Sequence, residues 1–290
     1  MKEQFTHKLT QSVLMWLEHQ LCDDGEAYIN INTQFYDTQD RNTGYYSYSC
    51  PYDQFLSDTS VNGTVTPNLL TGIYISGNYT NVGQNGFIAA DFHNGLLYFN
   101  HEITNPSVNL TGNFSVKEIN TMLTTDAEET LLFDTAYKPK MEISKGYAGM
   151  RSNETNIPVI FLKYIGGNNV EFAFGGMDES IYKYRALIFA ESLYQLEGIS
   201  SIFRDKQNTQ IPLIEKSENP FNFLGYYTGP VYHYENLANS KLDNSQHVCL
   251  TRVYVNNFDG FTIKQRKDMQ RGSQLGIIDF EISAYRYPRS

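Results

Sequence analysis

At 290 residues and 41% hydrophobic content, the chain can bury one large core or two ordinary ones and is too apolar to be disordered. A net charge of −10 disfavours adhesion to nucleic-acid backbones, which needs clustered cations. No apolar stretch approaches the roughly 20 residues of a membrane helix, and residues 1–21 lack the apolar core of a signal peptide.

The charge is uneven. Residues 241–290 hold eight Lys/Arg against five Asp/Glu, so the remainder is the acidic part. Such a tail could dock on the acidic body of a neighbouring copy. Aromatics reach 14%, with 22 Tyr and 18 Phe, which suits sheets, protein interfaces and sugar binding alike. Cys22, Cys50 and Cys249 are far apart and in no metal-ligand spacing, which reads as free thiols in a reducing cytoplasm. Five Asn-x-Ser/Thr sequons, starting at Asn62, Asn78, Asn109, Asn113 and Asn153, reflect turn composition unless the chain is secreted.

Residues 3–22 are predicted as an amphipathic helix, with Phe5, Leu9, Val13, Trp16 and Leu17 on one stripe and Gly25 as a left-handed cap. Ala27–Ile31 is a first strand. Asp37–Gly44 is turn chemistry whose Asp37, Asp40, Asn42 and Gly44 have the wrong spacing for a calcium loop. A strand follows at Tyr45–Ser49. From Val61 to Lys138, short alternating runs predict strands at 72–80, 86–92, 96–100, 110–117 and 130–137. Asn94-Gly95 is the strongest hairpin signal among them. Residues 139–156 read as a returning linker.

From Ile157 the pattern predicts a strand to Leu162, a Gly166–Asn169 turn, a strand at 170–174 and another over Ile181–Ala190. Ser192 and Gln195 then form a capping box for a helix whose Leu193, Leu196, Ile199 and Phe203 share a face. Ile211–Ile214 is a strand, and Pro220–Glu235 is an aromatic loop. Strands at 247–256 and 275–285 flank a basic loop at 264–271. The expected class is α+β: a small mixed sheet with two helices, carrying an inserted all-β sandwich or barrel-like domain. The expected bounds are 1–35 for the helix and first strand, 36–155 for the insertion with its return linker, and 156–290 for the remainder.

Phosphate-binding loops, dinucleotide fingerprints, nucleophile elbows and paired zinc histidines are missing from the sequence. His93 and His101 read as solvated loop residues, and Asp23/Asp24 and Glu128/Glu129 as solvated turns rather than acid–base pairs. No catalytic, cofactor-binding or metal residue is expected. Tyr226, Tyr227, Tyr232 and Tyr234 suit an aromatic subunit interface, and the basic residues Arg266, Lys267, Arg271, Arg286 and Arg289 suit docking to a neighbour.

The stretch Phe172-Ala173-Phe174-Gly175-Gly176, through Phe189–Tyr194 to Arg204-Asp205 and Pro212-Leu213-Ile214, resembles the neck and tail-terminator (tail-completion) proteins of long-tailed bacteriophages. Asp91–Gly95 looks like segments of phage structural proteins. The resemblance covers about half the chain and rests on element order. It implies a non-enzymatic virion protein without cofactors, assembled in the host cytoplasm as a sixfold or twelvefold homo-oligomeric ring. Its implied partners are other neck, tail and connector proteins, with DNA passing through unbound and no membrane. The alternative is a carbohydrate- or receptor-binding β-module of the tail or baseplate, with Tyr74 and Tyr79 as candidate sugar contacts.

Overall fold

The computed structural model describes residues 4–38, 44–103, 109–133, 135–139, 154–173, 176–220, 231–243, 246–258 and 274–287. Among these the chain is mostly β, with several sheets and four helices.

Helix α1 (Phe5–Asp23) buries Leu9, Val13, Trp16, Leu17 and Leu21, as its three- and four-residue spacing predicts. Its end differs from expectation: Glu26, not Gly25, takes the left-handed conformation (φ 46°). Gly25 is instead required by close approach, since a Cβ there would lie 2.6 Å from the Leu21 carbonyl oxygen.

Residues 28–117 build two four-stranded sheets. One orders β1 (Tyr28–Gln34), β8 (Leu110–Lys117), β4 (Gly72–Ile75) and β5 (Asn78–Asn81); the other orders β2 (Tyr36–Asp37), β3 (Tyr46–Ser49), β7 (Leu96–Phe99) and β6 (Phe87–Asp91). Both contribute to one aromatic core around Phe55, Phe87, Phe99 and Phe114. The predicted strand at 72–80 is a hairpin that reverses at Ser76-Gly77, where both residues have positive φ. Asn94-Gly95 does turn β6 into β7, with Gly95 at φ 61°. The strand expected at 130–137 is replaced by helix α2 (Glu128–Phe133) and a short strand β10 (Ala136–Pro139), which pairs with β11 (Glu154–Ile157). Two glutamates in the first turn favour the helix through its dipole.

The main sheet has six strands, in the order β14 (Gln210–Pro212), β15 (His247–Phe258), β16 (Gln274–Arg286), β13 (Met177–Ala190), β12 (Val159–Ala173) and β9 (Asn120–Leu123). It is mixed, because β9 runs parallel to β12. Membership crosses the expected bounds: β1 pairs with β8 in the β-rich part, whereas β9 joins the main sheet. One face packs Ile160, Tyr184, Ile188, Ile278 and Phe280 against α1 and helix α3 (Leu193–Asp205). The upper part of the other face packs Val159, Phe161, Leu187 and Phe189 against Leu131 and Tyr137.

The turn expected at Gly166–Asn169 is absent. β12 runs through it and stays paired with β13, absorbing Ile165 as a bulge next to Gly166, whose φ is 130°. Glycine and asparagine chemistry here makes an irregularity within a strand, and Ala173 pairs with Met177 beyond it. The Ser192 cap of α3 is as expected, with Oγ accepting from the Gln195 N–H at 3.2 Å. Gln195 reaches back one residue further than a capping box would, accepting from the Glu191 N–H.

Helix α4 (Tyr234–Asp243) is not visible in the sequence reading. Its first N–H groups are satisfied from far away: Asp58 Oδ1 accepts from Tyr234 N at 3.1 Å and Ser60 Oγ from Glu235 N at 3.3 Å.

Candidate functional site

Two places combine distinctive chemistry with fixed geometry: the far end of the main sheet and a buried polar cluster beneath α1. The sheet end follows from strand lengths. β9 covers the outer edge of β12 only at Val159–Leu162, so Tyr164–Ala173 has no outer strand neighbour among the described residues. Tyr164, Ile165, Val170 and Phe172 are exposed there, Phe172 by 58%. Glu171 is the one charged side chain of that stretch. Open strand edges are normally blunted by charge or brevity, and this one is long, carries a single charge and exposes four large apolar side chains.

Aromatic rings flank this edge on both faces of the sheet, Phe172 with Tyr285 on one and Tyr164, Tyr182 and Tyr184 on the other. Phe172 lies 4.6 Å from Tyr285 between ring centroids, and Tyr164 lies 5.3 Å from Tyr184. Phe5 packs on Tyr182 at 5.5 Å, with the Arg286 guanidinium 4.8 Å over its ring. Aromatic side chains with arginine are the usual make-up of interface centres.

A second open edge sits at the opposite corner. β14 and Thr209 occupy the outer edge of β15 up to Leu250. Thr251–Phe258 has no outer strand neighbour among the described residues, and Arg252, Tyr254 and Asn256 are exposed along it. The sheet face between the two edges is a lattice of cross-strand ion pairs. Arg185 binds Asp279 through two bonds of 2.7 and 2.9 Å and Glu128 at 2.9 Å; Lys183 and Arg252 flank Glu281. The hydrogen bonds to Asp279 and Glu128 hold the Arg185 guanidinium above its ordinary pKa. These pairs are partly solvated, so they organise the face more than they stabilise it.

The polar cluster locks α1 to the β-rich part. Lys117 Nζ meets Glu18 Oε1 at 2.9 Å with both side chains almost fully buried, and Thr121 Oγ1 donates to the same carboxylate. Gln54 accepts from Thr121 N and donates from Nε2 to the Thr121 carbonyl at 2.7 Å; that nitrogen is also 3.2 Å from His93 Nδ1. His93 is therefore a buried residue, not a solvated one. Nearby, His19 Nδ1 is 2.8 Å from Asp58 Oδ2, and its ring stacks on Tyr234. Burial alone would raise the Asp58 carboxyl, but hydrogen bonds from His19 and Ser60 outweigh it and hold the group below its ordinary value.

A cleft of about 290 Å³ opens beside this cluster between α1, α4 and β14, lined by Trp16, His19, Tyr234 and Lys206. Lys206 is paired with Asp24 at 2.7 Å. Burial pushes the Cys22 and Cys50 thiols up to about 12, so neither is a thiolate at neutral pH. Among the described residues, no three His, Cys, Asp or Glu group as metal ligands, and no helix is long and apolar enough to cross a membrane.

Of the expected interface residues, three are described, and these do not converge. Tyr234 is 4% exposed, its ring engaged with His19, so it offers no surface to another chain. Tyr232 is half-buried and tied through its backbone to Ser57 and Thr59. Arg286 does lie at the sheet end, on the helix face, where it covers Phe5 and donates from Nε to Ser180 Oγ at 2.9 Å. Tyr226, Tyr227, Arg266, Lys267, Arg271 and Arg289 lie outside the described residues. The open-edge residues Ile165, Val170, Phe172 and Tyr254 were missed because edge position depends on how far neighbouring strands reach. Comparison with known protein families and with characterised proteins finds no match, so the functional reading rests on this geometry.

Proposed function

We propose that this protein is a non-enzymatic structural subunit that joins copies of itself through open sheet edges into a ring. In the phage reading, that ring is a virion component at the neck or tail end. The single observation behind the assembly reading is the edge Tyr164–Ala173, which has no outer strand neighbour among the described residues and exposes Ile165, Val170 and Phe172. An isolated subunit would leave that edge as an aggregation hazard, whereas pairing satisfies its backbone and covers Val170 and Phe172. The finer architecture fits the same reading: a helix-and-sheet body drawn from both ends of the chain, with roughly residues 28–117 inserted as a sandwich-like unit. The net negative charge suits a channel wall along which DNA slides without sticking.

Light scattering on the purified chain tests assembly, and quantitative peptide counting in purified virus particles tests position. A multimer, and a few copies per particle, are expected. A chain that stays monomeric at every concentration overturns the assembly reading, and absence from particles overturns the virion one.

A second reading has its own observation. Tyr74 and Tyr79 are both exposed on the β4–β5 hairpin, edge to face with ring centroids 5.2 Å apart, and an exposed ring of this kind is a surface on which a sugar could stack. Saturable glycan binding that disappears in Tyr74→Ala and Tyr79→Ala is expected under it; glycan arrays with no binding above background discard it.

A further inference from the structure

We infer that the open edge of β12 in one copy pairs antiparallel with the open edge of β15 in the next, so that six-stranded sheets join head to tail. This rests on the assembly reading above. The two edges match in coverage, direction and register.

Coverage comes first. β9 shields one end of β12 and β14 shields the other end of β15, so the open stretches occupy diagonally opposite corners of the sheet. Two copies placed level would bring an open edge against a covered one. Sliding one copy along the strands brings open to open.

Direction follows from topology. Each step from β12 to β13, β16 and β15 is antiparallel, so β12 and β15 run oppositely within one sheet. A neighbour related by rotation about a ring axis therefore presents its β15 antiparallel to β12.

Register is fixed by bulges and faces. β12 is regular over Gly166–Glu171, between irregularities at Ile165 and Phe172; β15 is regular from Arg252 to Phe258. Pairing through β13 and β16 puts Val170 and Tyr254 on the charged face, and Glu171 and Val253 on the helix face. Both copies keep the same face outward, and all of Gly166–Glu171 is paired, in one register only. It sets Gly166 against the partner's Phe258, Val170 against the partner's Tyr254 and Glu171 against the partner's Val253. The exposed ring of Phe172 then lies beside the partner's Arg252, a cation–π arrangement.

The same register says how the assembly closes. Within a copy, Gly166 is level with Lys183, Glu281 and Arg252. Moving it opposite the partner's Phe258 is a slide of about six residues, roughly 20 Å at ~3.3 Å per residue. The four strands from β12 to β15 span roughly 19 Å at ~4.8 Å spacing. The ratio inclines the strands by ~45° to the ring axis, at the upper end of the 35–45° typical of closed barrels. An equal slide without that tilt would give a helical filament instead.

The test uses Val170→Cys and Tyr254→Cys, each alone and together, in a full-length Cys249→Ser background, treated with a short bis-maleimide. Light scattering is run on the same samples. The double variant is expected to give a ladder of covalent multimers. The two single variants mixed are expected to give dimers only, and each alone none. Dimers from Val170→Cys alone mean a two-fold β12–β12 pairing and overturn the inference. A multimer that does not cross-link assembles through another surface and overturns it too, leaving the assembly reading intact; a monomeric parent chain overturns both. As a second variant, Val170→Lys/Phe172→Lys is expected to be monomeric with the circular dichroism of the parent. A multimer that survives it also refutes the β12 edge.

Discussion

Replacing Lys117 by Ala is expected to lower stability by about 3–5 kcal/mol in chemical denaturation at neutral pH, the usual cost of stranding one member of a buried ion pair. Lys117 ends β8 and Glu18 lies in the middle of α1, so the pair joins the N-terminal helix to the β-rich part. With side-chain exposures of 3% and 2%, neither ion has water to fall back on. Without the ammonium, the Glu18 carboxylate keeps the Thr121 hydroxyl as a hydrogen-bond donor but loses its cation. The matching double variant Glu18→Leu/Lys117→Met removes both charges and keeps the volume, so it is expected within about 1 kcal/mol of the parent. The comparison separates a stranded charge from lost packing. If Lys117→Ala costs under about 1 kcal/mol, water reaches Glu18 and the pair does not hold α1 in place.

This bolt was invisible in the sequence for a definable reason. Glu18, Lys117, Gln54, His93 and Thr121 are scattered over a hundred residues and carry no shared spacing. Each alone reads as a solvated polar residue, and only the packing of α1 across β9 brings them together. The periodic elements were legible instead: α1, α3 and strands β7, β8, β15 and β16 declare themselves by their own residues. Helix α4 did not, because Asp58 and Ser60 supply its cap from the far side of the fold. The Gly166–Asn169 stretch misled, since the same glycines serve a turn or a bulge, and pairing with β13 decided between them. The open edges belong to the same class. Val170 is an edge residue because β9 stops at Leu123, a fact about a different segment. The aromatic loop pointed to Tyr234 as an interface residue without indicating these edges, and Tyr234 lies inside the chain.

Lowering the pH from about 6.5 to about 4 is expected to cost the folded chain about 3 kcal/mol through His93 alone. Burial, reinforced by the nearby Lys117 ammonium, pushes the imidazole down to about 4 from its ordinary 6.5; Glu18 and Asp91 act the other way without reversing it. Between those two values the unfolded chain binds a proton at this position and the folded chain does not. Stability is therefore fully present above about 6.5, falls as pH falls, and stops changing from this source below about 4. A shift of about 2.5 units corresponds to about 3 kcal/mol. Asp58 adds a separate loss only at lower pH, because its folded carboxyl is held below the ordinary carboxylate value. The discriminating measurement is denaturation from pH 7.5 to 4 for the parent and His93→Gln, which keeps an acceptor for the Gln54 amide. The variant is expected to lose the His93 part of the slope while the contribution of every other titrating group remains. Parallel profiles for the two proteins would mean that His93 takes up its proton in the folded state. The physical reason to expect otherwise is the neighbourhood: the Gln54 amide nitrogen faces Nδ1, and the closest cation is a lysine already committed to Glu18. A cluster built this way admits no extra positive charge, so the contacts that join α1 to the β-rich part are intact at neutral pH and are lost only as the pH falls.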